Sequence, residues 1–417
     1  MSFDVRAVRE HFPALTAGYA HFDGPGGSQV PDVVAHAVAT TMLTPLANRG
    51  RVTTAERSAD DIVLGARRAV ADLLGADPRG VVFGRSMTAL TFHLARTLAA
   101  TWAPGDEVVV TRLDHDANIR PWVQAADAAG VTVRWAEFDP DTAELAAERV
   151  AEVLSPRTRL VAVTAASNLL GTRPPVRAIT DLAHEAGALT YVDGVHYTAH
   201  AAVHLDALGA DFFACSPYKF LGPHCGVLAA DPALLETLRP AKLLPSPDDV
   251  PERFELGTLP YELLAGTTAA VDFLASLGPA TGSRRNRLIS AMSGIEAYED
   301  ELRADIESGL AQLPGVVCYS RAEHRTPTLL LGFTGREPAE AYDFLAGCGV
   351  NAPAGAFYAI EASRWLGLGD TGALRVGLAP YVDSTDVDRL LTGLATFLDT
   401  RDSASSRSTA SRNSGGR

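Results

Sequence analysis

A lysine set between a tyrosine and a phenylalanine, in "SPYKFLGPHCGVL" (216–228), stands just after an apolar run and before a glycine-rich turn. Other reactive residues share its situation, each placed just beyond a short β-rich run. "VVF" leads into Gly84, Arg85, Ser86, Met87 and Thr88; "EVVVT" leads into Asp114, His115 and Asn118; "RLVAVTAAS" ends near Asn168. "TYVD" ends on Asp193 with His196 close behind, and "FFACS" ends on Ser216, with Lys219 following. In open α/β sheets ligands bind outside the carboxyl ends of the strands. A phosphate site, an imidazole, an amide, a carboxylate and an amine would then meet at one edge. Pyridoxal 5'-phosphate needs that set: a lysine to form a Schiff base with its aldehyde, an acid to keep its pyridine nitrogen protonated, and hydroxyls and amides at a helix start for its phosphate.

Each residue alone also fits a structural role. Lys219 could hold its charge in water while its stem packs. Asp193, Ser86 and Thr88 could cap helices, His115 and His196 could be hydrogen-bonded structural histidines, and Asn168 could shape a turn. Their shared position at strand ends favours the chemical reading.

The elements that would position them alternate. Between about residues 80 and 230, seven β-rich runs are separated by segments of helical period. One of these segments, "PVRAITDLAHEAGA", puts Val176, Ile179, Leu182 and Ala183 on one face. Such repetition implies a mostly parallel seven-stranded sheet covered on both sides. From residue 283 a long polar helix introduces a different pattern, read as a smaller C-terminal α+β domain. The expected organisation is an N-terminal segment (1–22), a large domain (23–282), a small domain (283–398) and a disordered Ser/Arg/Gly-rich tail (399–417).

Composition narrows the function. A formal net charge of −14 disfavours nonspecific nucleic-acid and anionic-membrane binding. With 47% hydrophobic and 21% charged residues the balance is that of a soluble globular protein. The opening "MSFDVRAVREHFPAL" lacks the apolar core of a signal peptide, and no run is long enough to span a bilayer. Four cysteines, at 215, 225, 318 and 348, form neither a CxxC pair nor a disulfide framework. They point to the cytoplasm and give metal binding no support.

Seven motifs in order, "FDGPGGSQVP", "LDHDANIRPW", "AASNLLGT", "YVDGVHY", "SPYKFLGPHCGVL", "FELGTLPYE" and "LRVGLAPYVDSTDVDRL", carry a family resemblance. Over about residues 5–398 the chain resembles the class V aminotransferases of the fold-type I pyridoxal-phosphate enzymes, especially their cysteine desulfurase-like branch. The resemblance implies that Lys219 bonds the cofactor, Asp193 pairs with the pyridine nitrogen and His115 stacks on the ring, making these three the catalytic residues. It puts Asn168 and His196 near the phenolic oxygen. Thr88, the backbone around Met87 and the Ser216 hydroxyl would hold the phosphate. Thr258 would reach the phosphate of a neighbouring subunit, which implies a homodimer with shared sites. Arg375 would grip the carboxylate of a small amino-acid substrate, and the "GPGG" loop (24–27), with Gly26 and Gly27, would line that pocket.

The pattern departs from the branch at two positions. Where a desulfurase carries its loop cysteine the chain has Tyr358, and Tyr218 precedes the lysine where many desulfurases carry histidine. Cys348 reads as a small hydrophobe at a helix end, and Cys215 and Cys225 do not sit where a mobile low-pKa thiolate would. The expectation is therefore lyase, aminotransferase or epimerase chemistry on an amino acid or related amine. The alternatives are desulfuration through another cysteine and a noncatalytic scaffold that keeps the fold.

Overall fold

Val108, Val109 and Val110 follow one another with no polar residue between them, and all three are fully buried. A strand covered on both faces carries such a run, whereas one with a wet face alternates. The computed structural model describes residues 3–412 and places this strand inside a large sheet. Its members are β2 (Val81–Gly84), β3 (Glu107–Thr111), β4 (Thr132–Ala136), β5 (Thr158–Thr164), β6 (Leu189–Asp193), β7 (Phe212–Cys215) and β8 (Gly226–Ala230), each one of the seven expected runs. A two-residue strand, β1 (Ala20–His21), precedes them.

The order is β2-β8-β7-β6-β5-β3-β4, parallel except for β8, which runs antiparallel to both its neighbours. Only residues 216–225 separate β7 from β8, too few for the crossover that a parallel partner requires. Side chains alternate between two apolar layers. Val109, Val161, Val192 and Phe213 face one layer, and Val108, Val110, Leu160 and Tyr191 face the other. The helix Val176–Glu185 buries Val176, Ile179 and Ala183 against the first layer, with Leu182 packed beside them.

Strand order reverses between β3 and β5, because the chain leaves β3 for the outer β4 and returns across it to β5. Such a reversal opens a crevice at the carboxyl ends of the two strands. His115 follows β3 there and Asn168 follows β5.

Ser283 caps the long helix Arg284–Leu310 through Asn286 N–H at 3.2 Å, and a second sheet follows. It has the order β12-β13-β10-β9 and is antiparallel, built from β9 (Val316–Cys318), β10 (Thr328–Phe333), β12 (Ala354–Gly355) and β13 (Ala373–Gly377). Strand β11 (Val350–Asn351) instead pairs in parallel with β1, so the N-terminal segment is stitched to this late part of the chain.

The last helix, Ser384–Arg412, differs from the expectation of a disordered tail, since it runs through residues 399–412; residues 413–417 lie outside the described residues. Extending a helix already anchored by buried Leu390, Leu394 and Phe397 avoids the cost of nucleation. Among the described residues no helix is long and apolar enough to cross a membrane.

Candidate active site

Asp193 ends β6 and is 4% exposed. Its Oδ1 accepts the Val195 N–H at 2.9 Å. Burial pushes the carboxyl up to about 6, opposed by that hydrogen bond and by Lys219. One strand away, Pro217 opens a single 3-10 turn, Pro217–Lys219, that follows β7. Proline's fixed φ suits that first position. The turn closes through Lys219 N–H to Ser216 O at 3.0 Å and Phe220 N–H to Pro217 O at 2.9 Å.

Lys219 Nζ donates to the Pro25 carbonyl and lies 4.9 Å from the Tyr218 ring centroid. Burial, helped by the Arg375 charge and opposed by Asp193, pushes its amine down to about 7. An amine so shifted is substantially neutral, and therefore nucleophilic, near physiological pH.

Strand β2 delivers the third component. Ser86 Oγ accepts the Ala89 N–H at 3.1 Å and caps the helix Met87–Ala99, whose first turn carries Met87 and Thr88. A Cβ at Gly226 would come within 2.4 Å of Met87 N and 2.2 Å of Ser86 C, so β8 can lie against this helix start only because residue 226 is glycine. The helix start, with its unpaired N–H groups and positive dipole end, suits a phosphate. Ser86, Met87, Thr88 and Ser216 line one cavity of about 540 Å³ with Asp193 and Lys219.

The imidazole is set by a buried chain of hydrogen bonds. Trp122 Nε1–H donates to Asn118 Oδ1 at 3.0 Å, Asn118 Nδ2–H donates to Asp114 Oδ1 at 2.6 Å, and Thr111 Oγ–H donates to the other Asp114 oxygen. The next residue, His115, takes the Ala117 N–H on Nδ1 at 3.0 Å, which leaves its proton on Nε2. Burial, then the charges of Lys219 and Arg375, push it down to about 4 against the pull of Asp116. His115 is therefore neutral at pH 7.

Asn168 is a junction. Its Nδ2–H donates to Phe357 O at 2.9 Å, its carbonyl accepts Arg375 Nη1–H at 3.0 Å, and its Oδ1 is buried without a protein partner. His196 lines the same cavity, with Nε2 3.0 Å from the hydroxyls of both Thr326 and Thr328 and its ring edge-on to His200. His200 Nδ1 in turn lies 2.8 Å from Glu299 Oε2.

Arg375, on β13, is 2% exposed and holds its guanidinium carbon 3.7 Å from the Phe357 ring centroid. Burial pushes it down to about 9, opposed by Asp23. The "GPGG" loop packs closely here, since a Cβ on Gly26 would stand 3.4 Å from Arg375 Nη2 and one on Gly27 3.3 Å from the Tyr218 ring. A larger cleft of about 1180 Å³ joins Gly26, Lys219, His115, Asn168, Tyr358 and Arg375.

Not every expected residue converges. Thr258 is exposed and outside both cavities of its own chain. Its neighbour Glu255 is nevertheless fixed to β2, the strand that leads into the Met87 helix. Arg67 grips both Glu255 oxygens at 2.8 and 2.9 Å, and Phe83 N–H donates to one of them at 2.9 Å. None of the four cysteines lines either cavity. Burial pushes the Cys215 thiol up strongly and Cys225 up to about 11, while Cys348 is exposed at a helix end.

Sequence reasoning placed Pro25 in a pocket-lining loop without foreseeing that its carbonyl would hold Lys219, and it missed Phe357. Phe357 and Tyr358 adopt left-handed φ values of +51° and +58°. Such a conformation costs on the order of 1–3 kcal/mol for each non-glycine residue. Glycine or asparagine would have signalled it; two aromatic residues give no such signal.

The sequence profile described as aminotransferase class-V matches residues 20–390. An uncharacterized protein of Mycobacterium tuberculosis is 36% identical over 401 residues, covering 95% of this chain and 100% of its own length. A cysteine desulfurase of Pectobacterium atrosepticum is 30% identical, covering 94% of this chain and 98% of its own. The crystal structure of the cysteine desulfurase CsdA (S-sulfonic acid) from Escherichia coli superposes with a TM-score of 0.85 at 26% identity, covering 96% and 100% of the two chains. With a mostly parallel sheet presenting lysine, aspartate and a helix start at one edge, and a profile match over most of its length, the chain belongs to the aminotransferase class-V family.

Proposed function

We propose that this pyridoxal 5'-phosphate enzyme binds an amino acid through its α-carboxylate at Arg375 and removes the α-hydrogen with Lys219. The observation that carries the reading is Arg375 itself, a buried guanidinium in the Lys219 cleft with no carboxylate in salt-bridge contact among the described residues. Burying a cation without an anion is costly. A planar fork answers a carboxylate with two parallel hydrogen bonds.

The residues present fit the cofactor. Asp193 spends one oxygen on Val195 and keeps the other for a protonated pyridine nitrogen. Asn168 Oδ1 lacks a partner, and the Met87–Ala99 helix start with Ser216 suits a phosphate. When bound, the cofactor supplies an electron sink for the α-carbanion. The chain does the rest: Arg375 orients the substrate, neutral His115 offers a ring face, and Lys219 Nζ takes the α-proton.

The outcome we favour is a lyase, aminotransferase or epimerase reaction, supported by the absence of cysteine from the cleft lining among the described residues. The desulfurase names of relatives favour a second reading, sulfur removal from cysteine. The holoenzyme, given L-cysteine and a reductant, is expected to release no sulfide with matching alanine. Sulfide with pyruvate would assign β-elimination, and sulfide with stoichiometric alanine would establish desulfuration. Arg375→Leu is expected to raise KM for any amino acid substrate by about 100-fold. Unchanged KM would remove Arg375 from substrate binding.

A homodimer is part of the same reading. Leu43, Val52, Leu244 and Leu256 are exposed, Leu244 at 97%. The loop before Val52 is tied to the Thr258 segment by Arg49, which bonds Glu252 at 2.9 Å and the Tyr261 hydroxyl at 3.2 Å. Exposed Leu256, two residues from Thr258, and exposed Val52, on the loop tied to the same segment, suit a second subunit. Sedimentation is expected at twice 44.0 kDa, and Leu43→Asp combined with Leu244→Asp is expected to give monomers that lose cofactor on dialysis. A monomeric wild-type holoenzyme would overturn the shared site. Four free cysteines are in keeping with a reducing compartment, the cytoplasm.

A further inference from the structure

Phe357 and Tyr358 form a strained two-residue turn fastened at both carbonyls to the large-sheet side of the cleft. Asn168 Nδ2–H donates to Phe357 O at 2.9 Å, and Asp116 N–H donates to Tyr358 O at 2.7 Å. The two rings then take different seats. Phe357 lies under the Arg375 guanidinium, while Tyr358 stacks on His115 with centroids 5.5 Å apart at 30° and stays 77% exposed. Left-handed backbone at two successive aromatic residues persists only where the surroundings fix it, and such strain collects at ligand clamps.

From this geometry we infer that the turn is the wall that reads the substrate's side chain, and that it selects an α-amino acid bearing a planar aromatic ring. The inference rests on the amino-acid reading of the cleft. Phe92 and Tyr218 line the same cleft, so with His115, Phe357 and Tyr358 five rings face the space that Lys219 shares. Two of its charged lining residues are paired with each other: Arg120 Nη2 bonds Asp116 Oδ1 at 2.7 Å. Apart from Lys219 and Arg375, which the amino-acid reading already uses, the cleft lining among the described residues offers no unpaired charge to an acidic or basic side chain. Offset or edge-on packing of a substrate ring against Tyr358 would bury a ring that otherwise faces water.

The test titrates the holoenzyme with L-phenylalanine and L-alanine, read from the change in the cofactor's visible spectrum, in wild type, Tyr358→Ala and Tyr358→Phe. Wild type is expected to bind L-phenylalanine about tenfold or more tighter than L-alanine. Tyr358→Ala is expected to lose most of that ratio and Tyr358→Phe to keep it, a pattern that a merely structural role would not produce. Equal affinity for both amino acids in wild type, or an undiminished ratio in Tyr358→Ala, overturns the inference while leaving the amino-acid reading intact. A spectrum that responds to neither amino acid, nor to any of a broad panel, overturns both.

Discussion

Lys219→Ala is expected to lose α-hydrogen exchange of bound amino acids into D2O by about 10³-fold or more, since acid–base and covalent roles vanish together. The exchange reports the proton-removal step shared by transamination, elimination and epimerisation, so it needs no knowledge of the product. The chain has only two lysines, Lys219 and Lys242. Lys242 is engaged with the Ser246 carbonyl at 2.8 Å and Asp248 at 3.0 Å. Borohydride reduction of the wild-type holoenzyme is therefore expected to mark a single peptide, the one containing Lys219. A mark on Lys242, or exchange unaffected by the alanine, would refute the assignment.

The same residue gives a pH signature in the cofactor-free protein. The folded amine is pushed down to about 7, from its ordinary value of 10.5. Below pH 7 the folded state holds a charged, poorly solvated amine and bears the full penalty; as pH rises from 7 through 10.5, the unfolded state binds more protons and the penalty fades. Lys219→Met should accordingly stabilise the cofactor-free protein most below pH 7, with the advantage over wild type shrinking toward pH 10.5 in paired denaturation curves. A pH-independent difference would mean that Lys219 is not desolvated.

Asp193→Asn is the second large effect, expected to slow α-hydrogen exchange by about 10²–10³-fold by removing the charge that keeps the pyridine nitrogen protonated. The amide is nearly isosteric and can still accept the Val195 N–H, so the fold is retained. Its stability effect runs the other way. The wild-type carboxyl is pushed up to about 6. Its burial is harmless while protonated, below about pH 4, and costs stability as pH rises through 6. The asparagine variant should thus unfold at a higher temperature than cofactor-free wild type at pH 7 and lose that advantage on acidification. A variant both slower and less stable at pH 7 would indicate structural damage instead.

Much of this was legible in the chain because the large sheet is local in its signals. Six of the seven strands have cores of Val, Phe, Leu or Ala, while the edge strand β4 (TVRWA) alternates, and the residues just past β2, β3, β5, β6 and β7 needed only the rule that ligands sit at strand ends. What escaped was long-range or conformational. The Arg67–Glu255 pair joins residues 188 apart in sequence, and nothing near either residue announces it. His196 was expected by resemblance beside the phenolic oxygen; its Nε2 contacts threonines on either side of Pro327, far along the chain. Phe357 and Tyr358 owe their backbone to partners at Asn168 and Asp116, so their own side chains predict nothing of it. The helix through residues 399–412 grows from apolar anchors upstream, a context its Ser/Arg composition cannot convey.

The pairing of β1 with β11 has a consequence for the order of assembly. His21 meets Asn351 across 330 residues of sequence, and Asp23 bridges to Gly377 just beyond Arg375. Contacts of such separation close late, because their loop entropy is met before they repay it. During synthesis the helix start at Met87, then Asp193, then Lys219 leave the ribosome long before β11 and β13, while the "GPGG" loop waits without its partners. On the roles proposed above, chain growth thus delivers the residues that would face the cofactor first and the carboxylate grip last, so that the nascent chain gains the means to hold a cofactor before it gains the means to admit a substrate.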